Sequence, residues 1–404
     1  MDVIPSKTKV LVTDAGHKSA LACVRSIGKK GFKVGCTGFP GQTLSFYSKY
    51  CYWKHLINID QSKDHDEFLE RYAQELLKII KKSNYNVLIP VGLESYLTVS
   101  KHKGDFIKRI NVSVVDWETM KIAYLKHESI RFASDVGVNV PKTIPIKSDE
   151  DITHAEAFLF PIVLKTSDSG AKSLKYCNDK DELVKNYGIL KMVSSTPIIA
   201  QEYIIGPGHG FYALFNKGRL KAMFMHKRVK EYPITGGPSA VAKVYYNKSL
   251  MEQGLRLLKA LKWHGPAMIE FKKDLRDGKF KLIEINPKLW GSLDLTITAG
   301  VDIPYLMVLQ AMDIDFDPVI DFKKDIVYRW IFPDEFLATM AYPSTDQLLS
   351  FLKKRGNEST NIDVNDPLPV LIQFLRGATK FVIFCLQGKL KYPSGRPGGQ
   401  NVEG

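Results

Sequence analysis

The chain has 404 residues, enough for two or three domains, and its composition is that of an ordinary globular protein, 45% hydrophobic and 25% charged. The formal net charge of +14 favours an anionic ligand, a nucleic acid or an anionic membrane surface, but the lysines are spread along the chain, which ranks nucleic acid low. Five scattered cysteines without zinc-site spacing, and first residues without the apolar run of a signal peptide, predict reduced thiols in a cytoplasmic protein.

The first 120 residues alternate between predicted strands and helices, as in an open parallel sheet. A buried strand at 9–13 leads into a helix that ends near Gly31, followed by a strand at 32–36, a helix at 66–82 and a strand at 86–90. The segment has no GxGxxG fingerprint. We therefore interpret it as a scaffold that also forms part of a substrate pocket, rather than as a dinucleotide site.

A second region begins near residue 120, and in it a strand that ends in a lysine precedes a loop of small residues. The strand over 160–165 ends in Lys165, and the loop over 166–173 is rich in hydroxyl groups. A mobile positive charge next to free backbone N–H groups suits phosphate oxygens. A simply solvated lysine is the alternative, and this motif alone does not decide between the two.

Further elements surround this motif, and one of them carries a second lysine, Lys126. The pattern predicts a helix at 119–137, a helix at 179–191, a strand at 197–205, a hairpin at 211–225, a basic loop at 226–239 and a helix at 250–262.

Two carboxylates interrupt apolar runs on two strands that flank an Asp-Gly turn, a strong hairpin signal. We predict a three-residue loop at 276–278 with Gly278 in the left-handed region, which sets Glu270 opposite Glu284. A two-residue loop would point the two acids to opposite faces. Asn286 shares a face with Glu284 because side chains alternate along a strand. Such a group of oxygen atoms suits Mg²⁺, whereas an exposed hairpin with acids paired to lysines is the alternative.

This order of motifs resembles the ATP-grasp superfamily, especially its carbamoyl-phosphate synthetase large-chain and biotin carboxylase type, over about residues 1–312. The resemblance implies an α/β and α+β protein in which an N-terminal parallel-sheet, pre-ATP-grasp domain precedes a two-subdomain ATP-grasp fold and a C-terminal helical extension. The expected divisions are a pre-ATP-grasp domain at 1–120, an ATP-grasp domain at 121–313 (a small lid-bearing subdomain at 121–200 and a catalytic, metal-binding one at 201–313), an extension at 314–390 and a disordered tail at 391–404.

The resemblance also implies ATP and Mg²⁺, or Mn²⁺, as cofactors, and it implies roles for particular residues. The residues expected to contact the nucleotide are Lys126, Lys165, Ser169, Gly170, Gln201, Glu202, Tyr203, Ile204 and His209. Among them, 201–204 would form a hinge whose backbone reads adenine, and His209 lies near the position of the family's ribose contact. The residues expected to bind the metal are Glu270, Glu284 and Asn286, and those expected to act in catalysis are Arg228 and Lys288. Lys288 departs from the family, whose motif usually has arginine at this position.

The activity implied is that of an ATP- and Mg²⁺-dependent carboxylate–amine ligase that acts on an amino acid or peptide through an acyl phosphate. Its partners would be a small-molecule carboxylate and an amine, and the family often forms homodimers. Two alternatives stay open. One is bicarbonate activation like that of carbamoyl-phosphate synthetase; the other is an inactive nucleotide-binding regulatory protein, which the lysine at position 288 motivates.

The C-terminal part contains an apolar run at 368–386, interrupted at helical spacing by Gln373, Arg376 and Lys380. Two central charges count against a helix that spans a membrane. A helix docked on the core or against a second subunit is the expected arrangement. Contact with a membrane surface is the alternative.

Overall fold

The computed structural model describes residues 4–59, 64–168, 174–194, 196–233, 237–353 and 356–392. Three β-sheets organise them: a four-stranded sheet near the N-terminus, a second four-stranded sheet, and a seven-stranded sheet that also takes strands from the C-terminal part. One parallel sheet, two largely antiparallel sheets and a long C-terminal helix confirm the predicted α/β and α+β class.

The N-terminal sheet is parallel throughout, with the strand order β3-β2-β1-β4. Its central strand is an unbroken aliphatic run, typical of parallel strands covered on both faces. Its elements and the helices that follow are β1 (Lys9–Val12), α1 (Lys18–Lys29), β2 (Lys33–Gly38), β3 (Cys51–Leu56), α2 (His65–Ser83), β4 (Val87–Ile89), α3 (Leu93–Lys101) and α4 (Lys103–Ile107).

The single helix predicted over 119–137 was wrong, because two helices occupy this stretch: α5 (Trp117–Tyr124) and α6 (Lys126–Asp135). The residue between them is extended. The backbone N–H of Lys126 donates to the carbonyl of Ser167, 2.8 Å away, instead of continuing the first helix. This long-range bond ties α6 to the second sheet, and helical periodicity in the sequence cannot reveal it.

The second sheet is antiparallel, with the order β5-β8-β6-β7. Two helices pack against it around a small apolar core of their own. Its elements are β5 (Thr143–Ile146), α7 (Asp149–Glu156), β6 (Ile162–Thr166), β7 (Leu174–Cys177), α8 (Lys180–Val193) and β8 (Ile198–Glu202).

The seven-stranded sheet has the order β13-β12-β9-β10-β11-β14-β15. Side chains on its two faces enter different cores, because successive residues of a strand point to opposite sides. Its elements are β9 (Gly208–Asn216), β10 (Arg219–Glu231), β11 (Ser239–Val244), α9 (Lys248–Ala260), β12 (Gly265–Lys273), β13 (Phe280–Asn286), α10 (Leu293–Thr298), α11 (Ile303–Ala311), β14 (Val327–Arg329), α12 (Phe336–Ala341), α13 (Thr345–Leu352) and β15 (Glu358–Thr360).

The basic stretch predicted as a loop at 226–239 begins instead as the end of strand β10. His226 pairs with Gly210 on one side and Val244 on the other, and pairing with β11 continues to Glu231 with two register shifts. The prediction was wrong because the charged residues at 227–231, although their composition is typical of a loop, pair with the next strand along the chain, β11.

The hairpin of β12 and β13 sets Glu270 directly opposite Glu284, as predicted. Gly278 has φ +70°, which confirms its left-handed conformation. The loop itself is longer than predicted, since residues 274–279 separate the strands. A register shift between Glu270 and Phe271 compensates for that length. The bulge therefore brings the two acids to one face, although the predicted loop was wrong.

The C-terminal part extends the seven-stranded sheet. Strand β14 pairs antiparallel with β11, and β15 pairs parallel with β14. Beyond them, the buried carboxylate of Asp366 accepts hydrogen bonds from Arg25 Nε (2.8 Å) and Ser48 Oγ (2.8 Å) in the N-terminal region. A helix, α14 (Pro367–Leu386), follows. The predicted tail lies almost wholly outside the described residues, which end at 392.

Candidate active site

A pair of carboxylates lies at the centre of the site, on the face of the sheet shared by Glu270 and Glu284. Burial and the neighbouring Glu284 raise the pKa of Glu270, against the opposing charge of Arg228. Burial also works against ionisation of Glu284, but Lys126 and a 2.8 Å hydrogen bond from Asn286 Nδ2 hold its pKa below the usual value. The structure therefore brings the three predicted metal-binding residues together, one of them a firmly ionised carboxylate.

Arg228 lies beside this pair on strand β10. Its guanidinium makes a 2.7 Å ion pair with Glu270 and lies 3.6 Å from Glu231. Burial opposes the charge of the guanidinium, but the two acids raise its pKa above the normal value. Gly208 on the adjacent strand provides room, since a Cβ there would lie 3.0 Å from Arg228 Cδ. Arg228 is thus a fixed cation that faces the carboxylates.

Three lysines act electrostatically on the other acid, Glu284: Lys126, Lys165 and Lys288. Burial lowers the pKa of Lys165 to about 8 and lowers that of Lys126 as well, while Glu284 opposes both shifts. Lys126 Nζ donates to the carbonyl of Asp168, 2.6 Å away, at the start of the predicted phosphate loop. Among the described residues neither lysine forms an ion pair with a carboxylate, so the two buried ammonium groups suit an anion.

The segment predicted as an adenine-reading hinge, 201–204, joins the second sheet to the third. Gln201 is buried and donates to Thr143 Oγ1 at 2.9 Å. The carboxylate of Glu202 points away to the hairpin loop, where it meets Arg276 at 2.6 Å. The ring of Tyr203 lies edge-on to Tyr176, with 5.7 Å between centroids.

A fourth lysine, Lys272, belongs to this site and escaped the sequence analysis. It lies two residues after Glu270 on the same strand, is largely buried, and donates to the carbonyl of Ile204 at 3.2 Å. Its ammonium lies 5.2 Å from the ring centre of Tyr203. The sequence contains the indication for its position, because residues two apart on a strand share a face. Lys272 therefore links the hinge to the carboxylates.

His209 does not join the other predicted nucleotide-binding residues. It pairs with Phe271, one residue out of phase with Glu270, so its ring points to the opposite face of the sheet. There it packs against Tyr245 and Phe280, with ring centres 4.9 and 5.1 Å away. The predicted ribose contact is wrong for this geometry. Ser169 and Gly170 lie outside the described residues.

A buried polar row that the sequence did not reveal continues the site face of the sheet. His226 Nε2 contacts the hydroxyl of Tyr212 and lies 2.7 Å from Ser292 Oγ. Burial and the nearby Arg228 lower the pKa of His226 well below its usual value, so the ring is neutral. Gly210 is required there, because a Cβ would meet the Tyr212 hydroxyl at 2.3 Å. Three separate elements supply this row, so no local pattern signals it.

The N-terminal sheet reaches the site through Lys18, at the start of helix α1. Lys18 Nζ forms a 2.6 Å ion pair with Asp334 and lies 4.7 Å from the ring centre of Trp330. A Cβ at Gly291 would lie 3.1 Å from Lys18 Cε, which places this lysine against the loop that follows Lys288. The N-terminal region therefore contributes a cation to the edge of the same site.

The donor atoms at the centre fit Mg²⁺ better than a softer metal. Glu270, Glu284 and Asn286 offer hard oxygen ligands, and Mg²⁺ typically takes only one or two protein carboxylates and completes its shell with phosphates and water. Within the part of the chain that the structure describes, no cluster of three His, Cys, Asp or Glu side chains could hold a metal. A site built wholly from protein ligands is therefore not found in those residues.

Residues 195–332, which include both carboxylates and Arg228, match the family model described as "ATP-grasp in the biosynthetic pathway with Ter operon". This part of the chain is therefore similar to an ATP-grasp domain. A curated relative, a putative urea carboxylase of Emericella nidulans, is 24% identical over 215 residues, which cover 48% of this chain and 17% of the relative. The chain thus spans about a sixth of that protein's length.

Solved ATP-grasp structures share the fold at low identity. The biotin carboxylase domain of Hydrogenobacter thermophilus 2-oxoglutarate carboxylase, solved with MgADP, has a TM-score of 0.64 and 17% identity over 79% of this chain and 73% of its own. An ADP complex of N5-carboxyaminoimidazole ribonucleotide synthetase has a TM-score of 0.63 and 12% identity over 96% of this chain and 99% of its own. An L-amino acid ligase from Bacillus licheniformis has a TM-score of 0.58 and 14% identity over 76% of this chain and 74% of its own.

Proposed function

We propose that this protein is a cytoplasmic ATP- and Mg²⁺-dependent ligase that joins a carboxylate to an amine. ATP would phosphorylate the carboxylate to an acyl phosphate, and the amine would then displace phosphate to form a C–N bond. The observation that carries the proposal is the direct opposition of Glu270 and Glu284, with Arg228 against the first acid and three lysines acting on the second.

The residues of this chain would act by position and charge, which is the main task of a protein in phosphoryl transfer. Glu270, Glu284 and Asn286 would hold Mg²⁺, which when bound would neutralise phosphate charge. Lys126 and Lys165 would bind phosphate oxygens, since both are buried and neither is in an ion pair among the described residues. Arg228, held by Glu270, would stabilise negative charge that develops on the transferred group.

The adenine would lie at the hinge, where backbone groups of 201–204 and the ring of Tyr203 are available. Because the Glu202 carboxylate is engaged by Arg276, its role would be limited to its backbone. Lys272, bonded to the carbonyl of Ile204, would position the hinge relative to Glu270. Ser169 and Gly170 retain their proposed place in the loop over the phosphates.

An amino acid or a peptide is the proposed substrate class, with the amine as second substrate. One structural neighbour with this fold is named an L-amino acid ligase, which supports this class. The excess of positive charge also suits an anionic carboxylate. Lys18, at the edge of the site, is the proposed contact for the substrate carboxylate. A homodimer is proposed as well, since one structural neighbour is described as a dimer.

Bicarbonate is the second candidate for the acid that ATP activates. The putative urea carboxylase and the biotin carboxylase domain, which was solved with bicarbonate, favour it. The two candidates differ in a simple observable: bicarbonate alone would trigger phosphate release, whereas an amino-acid ligase would require an amino acid.

The deciding experiment measures phosphate release from ATP and Mg²⁺ across an array of amino acids, dipeptides and bicarbonate, with mass spectrometry of every mixture. Release together with a product lighter by one water than its two substrates would establish the ligase. Glu284→Gln should abolish release, because the neutral amide loses the anionic ligand. Glu252→Gln, on the exposed side of helix α9, is the matched control.

Undiminished turnover in Glu284→Gln would overturn the metal assignment. The third possibility, a nucleotide-binding protein without catalysis, rests on Lys288. If the wild type binds ATP but releases no phosphate with any substrate, the ligase proposal fails for these substrates and the regulatory role is favoured. Lys288→Arg should then restore release, because arginine offers a bidentate fork. A silent Lys288→Arg variant would show that the lysine is not what prevents catalysis.

A further inference from the structure

Helix α14 turns an apolar face to solvent. Leu371, Leu375, Val382 and Leu386 recur at helical spacing and are 51%, 49%, 53% and 83% exposed. Single exposed leucines are ordinary on protein surfaces, but a row that runs the length of a helix indicates an interaction surface. We call these four residues the outer row.

The opposite face of the same helix is docked on the protein. The amide of Gln373 accepts from Asn361 Nδ2 at 3.2 Å, and a Cβ at Gly377 would lie 3.2 Å from Pro333 Cβ. Further along, the ring of Phe381 packs against Phe336, with centroids 5.6 Å apart. By length and composition the helix could cross a membrane, with a mean hydropathy of 1.5. This docking means that it lies along a surface instead.

The charges around the helix have one sign. The segment 367–392 contains four basic residues and no aspartate or glutamate. The four are Arg376, Lys380, Lys389 and Lys391, and none has an acidic partner among the residues that the structure describes. Arg376 and Lys380 border a groove next to Tyr47, beside the outer row. A second copy packed through this helix would bring like charges together, whereas anionic headgroups would neutralise them.

We propose that helix α14 binds the surface of an anionic lipid bilayer, with the outer row inserted at the boundary of headgroups and acyl chains. The basic residues lie at the level of the headgroups, and the residues at 381–386, between Lys380 and Lys389, are apolar. The helix is long enough to bury several side chains at once, which interfacial helices require. The protein body stays in water, because the docked face of the helix ties it to the core. The inference is independent of the ligase activity.

The test is co-sedimentation of the full chain with phosphatidylcholine vesicles, with and without phosphatidylglycerol. We expect binding to the anionic vesicles that weakens with salt and is largely lost in Leu371→Glu/Leu375→Glu. Lys380→Glu/Lys389→Glu should lower binding by at least about fivefold for each removed lysine, since one basic residue near such a surface is worth about 1 kcal/mol. Met192→Glu, on exposed helix α8, is the matched control and should bind normally.

Circular dichroism and ATP binding of each variant establish that it is folded. Equal binding to neutral and anionic vesicles would overturn the role of the lysines. No binding by the folded wild type, together with a concentration-dependent dimer in light scattering that Leu371→Glu/Leu375→Glu dissociates, would overturn the proposal and assign the outer row to a second copy of the chain.

Discussion

The guanidinium of Arg228 lies 2.7 Å from the carboxylate of Glu270, which in turn lies opposite Glu284 on the neighbouring strand. This contact offsets part of the repulsion between two buried acids on one face, because the cation opposes the rise in the pKa of Glu270. Under the proposed function, it also holds the cation that would stabilise the transferred phosphoryl group.

Replacing Arg228 by alanine should lower turnover by about a hundredfold or more, the usual effect of removing a fixed group that stabilises a transition state. It should also raise the pKa of Glu270 further. Any residual activity should then need a higher pH than the wild type, because Glu270 must ionise. A pH profile of phosphate release for Arg228→Ala checks this shift. A profile that moved to lower pH would contradict the contact.

ATP binding should weaken as the pH rises through about 8, the pKa of Lys165. The folded protein holds this lysine below its usual pKa, so the ammonium loses its proton in a range where an exposed lysine stays charged. Above pH 8 the dissociation constant should rise by up to about tenfold per pH unit. Calorimetric titration with ADP between about pH 7.5 and 9.5, the range over which this lysine loses its proton, measures the dissociation constant.

The matched variant is Lys165→Arg, whose guanidinium stays charged throughout. Its affinity should be lower at every pH, since the fork replaces a point charge, but the dependence on pH should vanish. An unchanged dependence in Lys165→Arg would assign the titration to another group.

His209 should make the protein sensitive to acid. Its burial between Tyr245 and Phe280 lowers the pKa of the ring to about 4, whereas the unfolded chain binds a proton near pH 6.5. The unfolded state therefore gains protons first, and stability falls as the pH drops from about 6.5 towards 4. The contribution between pH 7 and pH 5 is about 2 kcal/mol. Urea unfolding of wild type and His209→Phe at both pH values should show a smaller loss in the variant.

Phenylalanine keeps the packing of the ring but cannot titrate, so the comparison isolates protonation from volume. Equal losses of stability in the two proteins would show that other buried histidines, such as His226 and His264, account for the acid sensitivity.

Replacing Asp366 by alanine should destabilise the fold by about 3–5 kcal/mol, because the buried guanidinium of Arg25 loses its 2.8 Å carboxylate partner and keeps only the more distant Asp363, 4.0 Å away, and the backbone carbonyl of residue 366. Asp363 offers a matched control three residues earlier. It pairs at 2.8 Å with Lys29, whose side chain is 49% exposed, and Asp363→Ala should cost only about 1 kcal/mol or less. Thermal or urea unfolding measures both, and equal costs would contradict the structural role given to Asp366.

The sequence predicted the centre of the site well because its signals are local. Glu284 and Asn286 are two residues apart on one strand, and Glu270 lies on the strand joined to it by a short loop, so alternation and hairpin geometry place them together. The same rule of alternation, applied to strand β9, excludes His209 from the site. The position of His209 soon after the hinge suggests a ribose contact. Gly210, however, pairs with Glu270, and neighbouring residues of a strand point to opposite faces, so the ring of His209 points away from Glu270.

What the sequence could not predict depends on distant pairing. The row of Tyr212, His226 and Ser292 requires the order of strands β9 and β10 and the position of the turn before helix α10. The end of β10 has the composition of a loop because it is rich in basic residues, and its pairing with β11 makes it a strand. Likewise, nothing near Leu125 in sequence shows that Lys126 bonds to Ser167 and so begins a separate helix.

The bond between Arg25 and Asp366 has a consequence for the order in which the chain folds during synthesis. The ribosome delivers helix α1 hundreds of residues before residue 366, and N-terminal units generally fold first. Until residue 366 emerges, Arg25 must remain hydrated. Until residues 327–360 emerge, the seven-stranded sheet lacks β14 and β15. The N-terminal sheet can form early. Helix α1, however, can form its bond to Asp366 only after the last part of the described chain has been synthesised. Translation that pauses before β14 should therefore leave a nascent chain with an unfinished sheet edge open to chaperones.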